Sequence, residues 1–310
     1  MIGAPTKINA IRFERVTRIM TLARSAAGRL LPEKVLHQWR WARARWRARA
    51  FARKQSRAPR PHNLPAPLYV SLTSHPARFG MLPHTLRSLL RQSVRPDGIL
   101  LWIAHEDMPR LPRKVARLAS RGVIIRECED LRSYKKLVFA LAEFPDAFIV
   151  TADDDLYYPP TWLETLVDAV DRAEKTILCH RAHRIAFNED GSVAPYDSWQ
   201  WDVQDEAARR PSRDLVPTTG AGALYPPRCL SDEVGDADLF QRLCPTADDF
   251  WFYAMARRAG TPVMKVGGRF AVVPWPGARA SSLWAINQAG ANDRQIRNLE
   301  EAFGKSVSFG

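Results

Sequence analysis

Short apolar runs alternate with amphipathic segments along residues 68–170 of this chain. Each run has the length of a buried strand, and the segments between the runs have the spacing of helices with one apolar face. Apolar strands separated by helices are typical of a mostly parallel sheet that is covered on both faces. We therefore expect an α/β fold with strands at Leu68–Leu72, Ile99–Ala104, Gly122–Arg126 and Ala147–Thr151 and helices at Leu82–Gln92, Arg113–Ser120, Tyr134–Glu143 and Trp162–Val170.

Residues 1–60 have a different pattern, which predicts a basic, amphipathic helical arm. They contain 16 of the 46 Lys and Arg residues and two of the 33 acidic residues, so the rest of the chain is nearly neutral. Trp and Arg together suit an anionic membrane surface, where indole lies among the headgroups and guanidinium meets phosphate. A solvated arm, or a helix packed on the domain, is the alternative. The predicted apolar face consists of Leu36, Trp39, Ala42, Trp46 and Ala50.

The cellular setting follows from what the chain contains. Residues 61–67 are rich in proline and predict a linker to one domain over residues 68–310. No run of about 18 apolar residues predicts a spanning helix, and the start of the chain lacks a signal-peptide pattern. We therefore expect a cytoplasmic protein, with the arm as a contact to the inner face of the membrane. Nucleic acid is not an expected partner, because the net positive charge is confined to the arm. Four cysteines without a CxxC pair favour reduced thiols: Cys128, Cys179, Cys229 and Cys244.

Three consecutive aspartates, Asp153, Asp154 and Asp155, follow the fourth predicted strand directly. In open α/β sheets ligands bind beyond the carboxyl ends of the strands, so these side chains are expected in that crevice. Adjacent carboxylates repel one another unless a cation neutralises them, and Mg²⁺ or Mn²⁺ prefers such oxygen ligands. A metal that bridges to a diphosphate leaving group meets both conditions. The alternative is a solvated turn in which one aspartate caps the next helix.

Residues 68–170 resemble the nucleotide-binding half of GT-A glycosyltransferases, including those near family 2. In these enzymes an Asp-x-Asp (DXD) motif follows such a strand, and Asp153-Asp154-Asp155 matches it. The resemblance implies a Rossmann-like GT-A domain, with residues 171–310 as its acceptor half. It also implies that Asp153 contacts the donor ribose, that Asp155 and Asp153 hold the metal, and that Asp154 shares in these contacts.

Two further segments carry candidate donor contacts. Ser71–Arg78 lies where the family places its nucleobase contacts, and the planar fork of Arg78 suits a phosphate. Lys135 and Lys136 open the third helix, where the helix dipole disfavours cations, so a bound diphosphate explains them. A capping loop and a solvated helix face are the alternatives. The second strand lacks the Asp-Asp-Gly-Ser run typical of family 2, which leaves the nucleotide open. The candidates are Thr73, Ser74, Arg78, Asp130, Ser133, Lys135 and Lys136.

The second half of the domain carries two motifs. Gly220, Ala221 and Gly222 form a small-residue loop that permits close approach of the backbone to a ligand. A similar loop underlies the transferred sugar in GT-A enzymes, although a tight turn before a strand is the alternative. Asp248 and Asp249 open an apolar helix and resemble the acidic pair of inverting GT-A enzymes. By that resemblance Asp249 is the base that deprotonates the acceptor and Asp248 orients it. Either residue alternatively caps the helix.

Together these motifs predict a metal-dependent, inverting glycosyltransferase. Its substrates are a nucleotide-sugar donor and a saccharide or lipid-linked acceptor, as in capsule, lipopolysaccharide or exopolysaccharide synthesis. Tyr196–Asp202 suits an acceptor sugar or a packed core equally. A sugar-nucleotide transferase is the alternative enzyme, but Ser71–Phe79 lacks the Gly-rich signature of that class. A non-catalytic GT-A-like binding module is the other alternative, and it predicts that function survives substitution of Asp249.

Overall fold

The computed structural model describes residues 33–55, 58–170, 175–271, 273–277 and 290–304. The chain divides into two compact units, Met1–Trp46 and Arg47–Gly310. The strands are β1 (Arg60–Pro61), β2 (Leu68–Ser74), β3 (Val94–Arg95), β4 (Gly98–Ala104), β5 (Val123–Cys128), β6 (Phe148–Thr151), β7 (Ile177–Cys179), β8 (Ala182–Arg184), β9 (Leu215–Pro217), β10 (Ala223–Tyr225) and β11 (Val263–Lys265). The α-helices are α1 (Glu33–Gln55), α2 (Leu82–Leu89), α3 (Arg113–Ala116), α4 (Lys135–Glu143), α5 (Trp162–Val167), α6 (Ala237–Leu243), α7 (Asp248–Arg258) and α8 (Asn292–Phe303).

The central sheet has seven strands in the order β11-β7-β10-β6-β2-β4-β5. Six of them run in one direction, and β10 runs antiparallel to its neighbours β6 and β7. The predicted α/β class with a mostly parallel sheet is thereby confirmed, and β2, β4, β5 and β6 lie where apolar runs predicted strands. The reversed β10 was not predicted. Two small sheets accompany the main one, a parallel pair β1–β3 and an antiparallel pair β8–β9.

Helices cover both faces of the sheet, which explains why its strands are apolar without alternation. Successive side chains of a strand point to opposite faces. Leu100 and Trp102 of β4 therefore pack with α4, α7 and α8, whereas Ile99 and Leu101 pack with α2, α3 and α5. The four cysteines lie in this interior as free thiols, as their spacing predicted.

The strand directions bring four chain segments to one edge of the sheet. Ser71 of β2 pairs in register with Thr151 of β6, and Thr151 also pairs with Ala223 of β10. The residues after β2, after β6 and after β7 therefore lie at this edge, together with the residues before the reversed β10. The fold thus gathers segments that are distant in sequence at one crevice.

The described part of the basic arm consists of α1 and residues 58–60. The hydrophobic residues of α1 are spread around the helix instead of forming one face, so the predicted amphipathic pattern is wrong for residues 33–55. Alanine and arginine alternate too closely there for an apolar stripe at helical spacing. Trp39 and Trp46 are nevertheless 41% and 49% exposed. Residues 1–32 of the arm lie outside the described residues, and no described helix has the length and apolarity needed to cross a bilayer.

Gly222 makes the tight entry into β10. Its φ of +113° lies in the left-handed region that favours glycine. A Cβ on Gly222 would lie 2.4 Å from Nε1 of Trp162, and that nitrogen donates a hydrogen bond to the carbonyl oxygen of Ala221 at 2.8 Å. The missing side chain therefore lets the loop before β10 pack directly on α5.

We expect Gly222→Ala to lower the free energy of unfolding by about 2 kcal/mol or more, because it adds backbone strain to an overpacked contact. Gly235→Ala is the matched control, since no atom lies within 4 Å of a Cβ at that position. Urea unfolding measures both variants. Equal stability of the two would contradict the close-packing argument.

Candidate active site

The aspartate cluster lies at the carboxyl end of β6, at the edge where the four segments meet. None of the three residues caps the next helix, because the N-cap of α5 is Thr161. The capping alternative is therefore excluded. The Asp153 side chain is 42% exposed, whereas those of Asp154 and Asp155 are 10% and 14% exposed. Asp153 is thus the member most open to the crevice.

Arg78 compensates the two buried acids. Its Nη1 pairs with a carboxylate oxygen of Asp155 and lies 3.4 Å from Oδ1 of Asp154. The hydroxyl of Ser74 also donates to Asp154. Arg78 and Ser74, which were predicted to contact the nucleotide-sugar donor, therefore bind the acids of the cluster. Thr73, the third candidate of this segment, donates its hydroxyl to a backbone carbonyl of β4 at 2.9 Å.

Burial, together with charge repulsion within the cluster, raises the pKa values of the two inner acids. Burial raises the pKa of Asp154 to about 7, despite Arg78 and Ser74, which lower it. Burial and the charge of Asp153 raise the pKa of Asp155 to about 6. Crowded, partly desolvated carboxylates of this kind favour a neighbouring cation. Their oxygen atoms fit a hard divalent ion such as Mg²⁺ or Mn²⁺.

Lys136 joins the aspartate cluster to the acidic pair of α7. Its Nζ lies 3.0 Å from Oδ1 of Asp153 and 3.1 Å from Oδ2 of Asp248, and the side chain is 5% exposed. Burial alone would lower the pKa of Lys136, but the charges of Asp153, Asp248 and Asp249 raise it overall. The lysine is therefore an ammonium ion shared by carboxylates from two elements.

The remaining candidates of this segment surround the start of α4. Lys135 Nζ lies 2.6 Å from Oδ1 of Asp130, and the lysine side chain is 3% exposed. The backbone N–H of Arg132 donates to the same oxygen of Asp130. Ser133 lies in the single 3₁₀ turn, Arg132–Tyr134, that leads into α4, and it is half-buried. Lys135 and Lys136 thus have different carboxylate partners.

The glycine loop lies against Asp153. A Cβ on Gly220 would lie 1.9 Å from Oδ2 of Asp153, so only glycine fits beside that carboxylate. The hydroxyl of Tyr158 accepts a bond from the N–H of Asp153 at 2.7 Å and donates to the carbonyl of Gly220 at 2.6 Å. Ala221 and Gly222, the other two residues of the loop, contact Trp162 of α5. The loop is therefore both a tight turn before β10 and a wall of the crevice.

Asp249 faces the same crevice from the first turn of α7. Neither Asp248 nor Asp249 caps the helix, whose N-cap is Ala247. Oδ1 of Asp249 accepts bonds from the hydroxyl of Thr219 at 2.6 Å and from its N–H at 3.0 Å. Burial and the charge of Asp248 raise the pKa of Asp249 to about 6, although Lys136 and Thr219 lower it. An oriented carboxylate with this pKa can accept a proton near neutral pH.

Sequence reasoning missed Thr219 and Tyr158. Thr219 directly precedes Gly220, so a polar residue next to the loop was the available signal. Tyr158 lies three residues after the aspartate cluster. No local pattern there indicates that its hydroxyl reaches the glycine loop, which is distant in sequence. Both act by orienting groups that the sequence did identify.

Residues 77–226 match the sequence model of Glycosyl transferase family 2. No curated protein sequence matches the chain.

Solved structures of similar fold include the mannosyltransferase PcManGT from Pyrobaculum calidifontis in complex with GDP-Man and Mn²⁺, with 13% identity and a TM-score of 0.48 over 85% of this chain and 72% of that one. They also include CMP:2-keto-3-deoxy-manno-octonic acid synthetase with CTP (13% identity, TM-score 0.42, 74% of this chain and 100% of that one). A third is S. aureus TarS 1-349 with UDP (13% identity, TM-score 0.39, 64% of this chain and 57% of that one). At these identities and TM-scores, they identify no substrate for this chain.

The family match contains the aspartate cluster, Lys136 and the glycine loop, which are the parts that the fold brings together. The enzyme class that the sequence predicted is confirmed. Residues 77–226, just under half of the chain, match glycosyl transferase family 2, and the chain is a glycosyltransferase.

Proposed function

We propose that the enzyme transfers a sugar from a nucleotide-sugar donor to an acceptor hydroxyl, with inversion at the anomeric carbon. One observation carries the proposal: Lys136 holds Asp153, at the end of β6, and Asp248, beside Asp249, on the two sides of one crevice. A transferase needs a donor site and a base that face the same reacting carbon. The shared edge supplies both.

Asp153 and Asp155 are the proposed metal-binding residues, with Asp154 supporting them. A bound Mg²⁺ or Mn²⁺ supplies charge stabilisation for the departing nucleoside diphosphate. Among the described residues, no cluster of three or more His, Cys, Asp or Glu side chains is arranged to hold a metal ion. These two carboxylates would therefore hold the metal only together with ligands from outside the cluster, such as the phosphates beside which Mg²⁺ is commonly bound. Arg78, now paired with Asp155, is then available to the diphosphate.

The donor sugar is proposed to lie on the glycine loop. Gly220 and Asp153 are in direct contact, so a sugar above the loop has both a flat backbone surface and a carboxylate beside it. Thr73 and Ser74 are the proposed contacts to the nucleotide at the end of β2. Asp130, Ser133 and the start of α4 line the same side and are proposed to border the diphosphate.

Asp249 is the proposed base, with Asp248 orienting the acceptor. The two bonds from Thr219 fix one oxygen of Asp249, which leaves the other to take the proton of the acceptor hydroxyl. Deprotonation makes the hydroxyl oxygen a better nucleophile as it attacks the anomeric carbon. A non-catalytic binding module has no use for a carboxylate oriented in this way.

The acceptor is proposed to be a saccharide or a lipid-linked saccharide, as in capsule, lipopolysaccharide or exopolysaccharide synthesis. The basic arm, residues 1–60, supports a cytoplasmic enzyme held at an anionic membrane surface. Within its described part, Arg43 lies 5.5 Å from the centre of the Trp39 ring, so cation and indole are presented together. Such pairs suit the headgroup region of a bilayer.

The metal and donor sites are tested together by thermal shift. We expect one class of nucleotide sugar with Mn²⁺ to raise the Tm of the wild type, since a ligand that binds the folded state stabilises it. Asp155→Ala should lose the Mn²⁺-dependent part of the shift. Asp146→Ala, an exposed acid in the turn before β6, is the control and should behave as the wild type does. No stabilisation of the wild type by any nucleotide sugar at millimolar concentration would overturn the proposal.

Asp249→Asn tests the base. The amide keeps the shape and an acceptor oxygen for Thr219 but takes up no proton. We expect kcat to fall by about 10²–10⁴-fold while donor binding, measured by calorimetry, stays unchanged. Asp238→Asn, on the exposed side of α6, is the control. If Asp249→Asn retained full turnover, Asp249 would not be the base.

The pH profile tests the influence of Lys136 on the base. Because Asp249 acts as an anion and its pKa is raised to about 6, kcat/KM should rise with pH through that value. Lys136→Met removes a cation that stabilises the anion, so the acidic limb should move upward by about one pH unit. Lys136→Arg keeps the charge and should restore part of the profile. Lys135→Met, which removes a neighbouring ammonium paired with Asp130, should leave the limb in place; equal shifts in both methionine variants would contradict the assignment.

A further inference from the structure

Trp201 is exposed where a buried side chain would be the rule. Among the described residues of the unit Arg47–Gly310, Phe187 and Trp201 are the exposed large hydrophobic side chains, and Trp201 is 37% exposed. Its indole N–H donates to the carbonyl oxygen of Tyr196 at 3.3 Å. The hydrogen bond therefore helps to fix the orientation of the ring, while part of the ring stays open to solvent.

The segment that carries Trp201 is tied to β8 on both sides of the indole. Gln200 and Arg184 exchange two backbone hydrogen bonds, at 2.9 and 3.1 Å. The N–H of Val203 donates to the carbonyl of Ala182 at 3.1 Å. A ligand that stacks on Trp201 therefore pays little ordering entropy, because the surface is already organised.

A row of aromatic rings leads from Trp201 to the proposed base. The ring centroids of Trp201 and Tyr196 are 5.3 Å apart, and those of Tyr196 and Phe250 are 5.5 Å apart. Phe250 directly follows Asp249 in α7. Burial raises the pKa of Tyr196, and the charge of Asp249 raises it further, so the phenol lies within the field of that carboxylate. The exposed indole is thus on the Asp249 side of the crevice.

The groups beside these rings are polar. Asp197 and Gln200 are exposed, and Arg181 follows β7 at the same edge of the sheet. The positive charge of Arg181 acts on Tyr196 and also on His183, the pKa of which is lowered to about 3 chiefly by burial. An aromatic face with polar groups at its rim fits a ring that has a C–H face and hydroxyl edges, which describes a pyranose. A lipid chain requires a broader apolar patch, and Gln200 and Asp202 flank Trp201 instead.

We propose that Trp201 and Tyr196 form a stacking subsite for a sugar ring of the acceptor, next to Asp249. The inference rests on the proposed function and deepens it: the enzyme recognises its acceptor as a saccharide, through a ring rather than through a lipid. The subsite has no part in holding the donor nucleotide. Trp201 is therefore a specificity residue of the acceptor side.

The test is binding of the full chain to an array of bacterial oligosaccharides, followed by titration of the strongest hit. We expect Trp201→Ala to bind that oligosaccharide about tenfold more weakly, because the stacking surface is lost. Trp201→Phe keeps an aromatic face and should lie between the two. Phe187→Ala removes the other exposed ring of this unit, 39% exposed, and should bind as the wild type does.

Two results would overturn the subsite: a wild type that binds no oligosaccharide on the array, or a Trp201→Ala variant that binds as the wild type does. Nucleotide-sugar binding with Mn²⁺, measured by thermal shift on the same variants, separates this failure from failure of the proposed function. If Trp201→Ala binds both the nucleotide sugar and the glycan as the wild type does, only the proposed subsite is wrong. A wild type without donor binding removes the proposed function itself.

Discussion

The pairing of the Lys136 ammonium group with carboxylates is the interaction on which this candidate active site depends. The ammonium group lies among three carboxylates from two parts of the chain and is almost removed from solvent. A buried charge that loses its partners is strongly destabilising, so the end of β6 and the start of α7 are held at a fixed separation. The fold places the aspartate cluster and the acidic pair of α7, the proposed donor-site acids and base, on the two sides of this one cation.

Arg78 compensates the charge of the buried Asp154 and Asp155, as Lys136 compensates that of the more exposed Asp153. Two internal cations thus compensate a set of acids whose pKa values are still raised. Burial, with a smaller contribution from mutual repulsion, disfavours the charged form of these acids, and the proposed divalent metal would stabilise that form. The donor diphosphate in turn offers Arg78 an alternative partner. Binding of metal and donor is expected to be mutually favourable for this electrostatic reason.

The acceptor side is built on a different principle. Besides the charges of Asp248 and Lys136, the surroundings of Asp249 supply oriented hydrogen bonds from Thr219 and a row of aromatic rings that begins at Phe250. Rigid rings suit shape and C–H surfaces, whereas the charged groups of the proposed donor side suit phosphate. The two sides of the crevice therefore suit the two substrates of a glycosyltransferase.

Hydrophobic periodicity by itself determined the strands β2, β4, β5 and β6 and the helices between them, because local spacing reports which faces are buried. It also determined that Asp153–Asp155 end a strand at the binding edge. The prediction of an amphipathic arm was wrong for residues 33–55. The antiparallel direction of β10 was not predicted, because strand direction is set by long-range pairing. Which carboxylate meets Lys136, Arg78 or Gly220 was decided only by tertiary structure, since those partners lie up to about a hundred residues apart and a side-chain contact depends on distances that no local pattern encodes.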